Sequence, residues 1–112
     1  MSVYYALIRT NDGVCWEERN GTRVKNDYCL ELFAERRSKN NFVITEGRSG
    51  LSIGEGALKR IAISNVIEKI EYYGMDFVNR KVNESIERYG ESPLFTNSPK
   101  LPILNIVKEV QG

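Results

Sequence analysis

Four glycines fall within the ten residues Gly47 to Gly56, and the hydrophobic pattern has a different period on either side of them. After them, Leu58, Ile61, Ala62, Val66, Ile70 and Tyr73 recur at three- and four-residue steps, which lays one apolar stripe along a helix. Before them, short runs of β-formers are separated by Asp-Gly and Asn-Gly signals. A helix with one apolar stripe must bury it against another element, and the strands of the first half are the available surface. The chain therefore reads as a single α+β domain of two layers.

Val3 to Thr10 is rich in β-formers and ends at Asn11-Asp12-Gly13, a tight-turn signal leading into Val14 to Glu18. A second signal, Asn20-Gly21, reads as a turn into Thr22 to Lys25, a polar edge strand. Asn26 to Lys39 reads as a helix capped by Asn26 or Asp27, with Cys29, Leu32 and Phe33 on one face and Glu31, Glu35 and Lys39 in i, i+4 steps on another. The strand alternative aligns Leu30, Leu32 and Ala34 but places Cys29 and Phe33 beside the acids. Phe42 to Thr45 then reads as a strand.

Gly47 to Gly56 has no periodicity and reads as a loop leading into the striped helix, which Gly74 ends as a left-handed C-cap. Asp76 is placed to cap a second helix with the stripe Val78, Val82, Ile86 and Tyr89, stopped by Gly90. Glu91 to Lys100, with Pro93 and Pro99, is a loop, and Leu101 to Val107 returns as a terminal strand. The expected architecture is an N-terminal antiparallel sheet packed by two or three helices, with a C-terminal strand returning to the sheet.

The chain contains no histidine, which removes the usual general base for a serine or cysteine nucleophile and any imidazole titrating near neutral pH. Its cysteines, Cys15 and Cys29, are too few for a structural zinc site and read as small hydrophobes in a reducing compartment. Glu17-Glu18, Glu68 with Glu71, and Glu84 with Glu87 fit an exposed surface as well as a carboxylate pair. No enzyme chemistry, metal or cofactor is expected. The longest apolar run, Val3 to Ile8, is far below the ~20 residues of a membrane span, so a cytoplasmic location and no membrane contact are expected.

A formal charge of +1 excludes a bulk electrostatic role and leaves local clusters. Arg48, Lys59 and Arg60, with backbone donors near Gly54 and Gly56, are placed to gather around a helix N-terminus and hold a phosphate or carboxylate. The opposing reading is a surface turn in which Glu55 pairs with Lys59. Tyr4, Tyr5, Trp16 and Tyr28 crowd the predicted sheet and are candidate interface residues, in a possible homodimer or with another protein. The function expected is a small non-enzymatic protein-binding domain, an inhibitor or adaptor of the kind phages and mobile elements encode. The alternative is a nucleic-acid-binding module using the basic glycine-rich segment.

Overall fold

In the computed structural model, which describes residues 1–104, Asn11-Asp12-Gly13 makes the expected hairpin. Strand β1 (Ser2–Thr10) turns into β2 (Gly13–Val24) through Asn11 and Asp12, and their antiparallel register runs from Ser2 opposite Gly21 to Thr10 opposite Gly13. Gly13 has φ +117°, a conformation that a side chain would strain. Thr10 Oγ1 fastens the turn, donating to the Gly13 carbonyl at 3.0 Å and accepting the Asp12 N–H at 3.2 Å.

No turn forms at Asn20-Gly21; β2 runs straight through it. Gly21 is needed for a different reason, since a Cβ there would lie 2.7 Å from the Ala34 carbonyl oxygen and 3.0 Å from the Tyr4 ring. Beyond it, Thr22 to Val24 pair with β3 (Leu32–Ser38), which hairpins into β4 (Asn41–Glu46) and then β5 (Leu51–Gly56). The strands lie in the order β1-β2-β3-β4-β5.

The helix expected over Asn26 to Lys39 is a loop followed by β3. Asn26 Oδ1 accepts the N–H groups of Tyr28 and Leu30, while its Nδ2 donates to the carbonyls of Val24 and Leu30, so one side chain replaces the bonds a helix would have used. Cys29 within this loop has φ +58°, outside the helical region. The stretch Gly47 to Gly56 is likewise only half a loop, because its second half is β5. Gly54 and Gly56 let a helix sit directly on that strand: a Cβ on Gly54 would lie 2.4 Å from Val66 Cγ2, and one on Gly56 2.7 Å from the Ala62 nitrogen.

Helix α1 (Lys59–Tyr73) ends at Gly74, with φ +85°, and α2 (Met75–Tyr89) ends at Gly90, with φ +86°. Asp76 lies in the first turn of α2 instead of capping it, because Gly74 takes the cap position. Ala62, Val66 and Ile70 are buried against Leu32 and Ala34 of β3 and Ile44 of β4, each large side chain contributing about 1.5 to 3 kcal/mol. The other face of β3 is buried too. Phe33 stacks on Tyr4 with ring centroids 5.0 Å apart, across the space above Gly21.

The two rings meet over Gly21, which places no side chain between them, and the sheet curls into a half-barrel. The Leu7 N–H donates to the Gly50 carbonyl at 2.9 Å, tying the outer edge of β1 to the turn after β4. Strand β6 (Ile103–Leu104) returns as expected and pairs in parallel with β2 at Trp16 and Glu17, after the Pro102 carbonyl accepts the Trp16 N–H at 2.9 Å. Residues 105–107 of the expected strand lie outside the described residues. Among those described, no helix is long and apolar enough to cross a membrane.

Candidate functional site

The structure separates the three cations of the expected anion site. Lys59 and Arg60 open α1 beyond the end of β5, whereas Arg48 lies in the turn before β5, and six extended residues span about 20 Å. Arg48 Nε is paired with Glu91 at 3.1 Å. Lys59 and Arg60 stay together at an N-terminus with no side-chain cap and no acid in its first turn, and no ion pair joins Glu55 to Lys59. Gly54 and Gly56 are strand residues whose open space α1 occupies.

The candidate interface aromatics divide in the same way. Tyr4 and Trp16 are completely buried in the chain and offer no ring to a partner. Tyr5 is half-buried with its hydroxyl 3.4 Å from Glu18 Oε1, and Tyr28 is half-buried against the α1 side of the core.

On the face of the sheet opposite the helices lies a polar network that sequence reasoning missed. Backbone pairing between β2 and β3 stops at Thr22 opposite Ala34, and from there side chains bridge the strands. Arg19 of β2 forks onto Glu35 of β3 through Nε and Nη2, both at 2.8 Å, and its Nη1 donates to Glu17 at 2.8 Å. The Tyr4 hydroxyl donates to Glu35 Oε1 at 2.7 Å and accepts from Arg37 Nη2 at 3.2 Å.

Burial pushes the Glu35 carboxyl upward, but hydrogen bonds from Arg19 and Tyr4 and the charges of Arg19 and Arg37 outweigh it and hold the group below its usual range. The Glu35 hydrogen bond raises Arg19 against its own desolvation, and burial raises Tyr4. Two guanidiniums, Arg19 and Arg37, face two carboxylates, Glu17 and Glu35, here. The arrangement fastens three strands and leaves no free base or nucleophile.

The exposed feature that stands out is the corner where α1 meets α2. Gly74 is the one residue between the helices, so Tyr72, Tyr73 and Phe77 are thrown together outside the core. Tyr72 is 82% exposed and Tyr73 52%, although the helical stripe counted Tyr73 as inward-facing. The Tyr73 and Phe77 rings stack at 4.8 Å, Tyr72 meets Tyr73 edge-on at 4.8 Å, and Arg80 lies 5.4 Å from the Phe77 ring. Two adjacent tyrosines before a left-handed glycine were the available signal, because consecutive helical residues cannot both face the core.

Among the described residues, no group of three histidine, cysteine, aspartate or glutamate side chains is placed to hold a metal ion. The chain matches no family model, no curated protein and no solved structure.

Proposed function

We propose that the protein is a non-enzymatic binding domain that engages another protein through the corner between α1 and α2. The observation carrying this is the pair Tyr72 and Tyr73, exposed beside the half-buried Phe77 on which Tyr73 stacks, in a chain that buries the aromatic pair Tyr4 and Phe33 completely. Tyrosine, phenylalanine and arginine are the residues enriched at interface centres, where rigid rings contribute contact area at small entropic cost. An inhibitor or adaptor, of the kind phages and mobile elements encode, is the form this reading takes, supported by a sequence without histidine.

Affinity purification with the wild-type chain and with Tyr72→Ser/Tyr73→Ser tests this reading. A stoichiometric protein, or a second copy of the chain, is expected with the wild type and lost with the variant at unchanged melting temperature. Equal recovery with both would overturn the reading. Nucleic acid recovered in place of protein, and lost on Lys59→Ala/Arg60→Ala, would replace it with the nucleic-acid module.

A further inference from the structure

A cleft of about 260 Å³ opens between β5, α1 and α2, sharing only Phe77 with the aromatic corner. Ile53 of β5, Val66 and Ile70 of α1, and Phe77, Val78 and Val82 of α2 form its apolar walls. The charged groups lining it are two lysines, Lys69 and Lys81, one from each helix, and Ser52 adds a hydroxyl. We infer that this cleft binds a free, short-chain amphiphile: one acyl chain carrying a single anionic head.

The volume, just under the ~300 Å³ at which sites for drug-sized molecules begin, limits the occupant to a small one such as a short acyl chain. The charge argues for the head. Lys69 Nζ donates to the Ile53 carbonyl at 2.9 Å, which holds the ammonium beside the β5 edge with two of its three donors to spare. Lys81 Nζ is 3.9 Å from an exposed Glu84 carboxylate and 5.6 Å from the Phe77 ring, so its present partner is a weak surface pair that a carboxylate head can displace. A peptide strand is the poorer occupant. The Ile53 and Glu55 carbonyls already accept Lys69 and Asn65, so part of the edge that strand addition would use is taken.

The inference does not rest on the protein-binding reading. Its test is calorimetric titration of the intact chain with hexanoate, octanoate and decanoate below micellar concentration, beside decanol and decyltrimethylammonium. Saturable one-to-one binding is expected, tightening about fourfold per added methylene until the cleft is full, because each buried methylene contributes ~0.8 kcal/mol. Decanol and the cation should bind at least tenfold more weakly than decanoate. Lys69→Gln/Lys81→Gln should reduce decanoate to the level of decanol, and Val78→Trp, which fills the cleft, should abolish binding in a chain that still unfolds cooperatively. The chain should stay in the supernatant of phosphatidylglycerol vesicles. No saturable binding, equal affinity for anion and cation, a flat chain-length series, or sedimentation with vesicles would overturn the inference.

Discussion

Glu35→Ala removes the acceptor on which three strands meet. The wild-type carboxylate takes two bonds from Arg19 at 2.8 Å and one from Tyr4 at 2.7 Å, at a level where the β2–β3 backbone ladder has already ended. Bonds to charged groups contribute ~1.5 to 3 kcal/mol each, and breaking a fully buried pair costs ~3 to 5. Here the Arg19 and Glu35 side chains keep 22% and 16% exposure, so water recovers part of the loss. The expected destabilisation is about 2 to 3 kcal/mol. With a urea slope of ~1.5 kcal/mol per molar, that moves the midpoint down by about 1 to 2 M.

The pH dependence supplies a second reading of the same variant. The Glu35 carboxyl is lowered in the folded chain from an unfolded value of 4.5, so its contribution is complete above that value and is lost as pH falls through the folded one. The gap between wild type and variant should therefore be constant near neutrality and shrink in acid. Replacing both partners, Arg19→Met/Glu35→Leu, should recover part of the loss, because the Arg19 charge leaves with its main partner, while Glu17 and Arg37, more open to water, lose theirs. A loss under about 0.5 kcal/mol, or a gap that does not narrow in acid, would refute the role assigned to the network.

Other substitutions probe the packing and the helix start. Phe33→Ala deletes a fully buried ring and its stack on Tyr4, and urea denaturation should show a loss of about 3 to 5 kcal/mol. Lys59→Glu/Arg60→Glu places acids where α1 has none in its first turn, and should raise the melting temperature by stabilising the helix ~0.3 to 1 kcal/mol per residue. The exposed Cys29 should react with a thiol reagent in the native state, whereas Cys15, buried and with its thiol pushed up by burial, should react only after unfolding.

The elements legible in the sequence are those whose signals are local. Asn11-Asp12-Gly13 needs only its own backbone to make the first hairpin, and the glycines at 74 and 90 end helices whose stripes are visible without a partner. The misread segments depend on neighbours distant in sequence. Gly21 resembles a turn glycine but serves the approach of Ala34 and Tyr4. The strand at Leu32 to Ser38 looked unfavourable because it sets Phe33 beside Glu35, and the structure does place them on one face. Arg19, sixteen residues away, neutralises the acid there. The cationic site failed to assemble for a related reason: a segment read as a compact loop contains β5, and a strand separates what a loop would gather.

The proposed working surface is the α1–α2 corner, and hydrogen exchange on the purified complex tests that proposal most directly. Once a partner is recovered, amides over residues 70 to 81 should gain protection on binding, with those around Arg48 and along β1 unchanged. Protection gained elsewhere, with residues 70 to 81 exchanging as in the free chain, would contradict it.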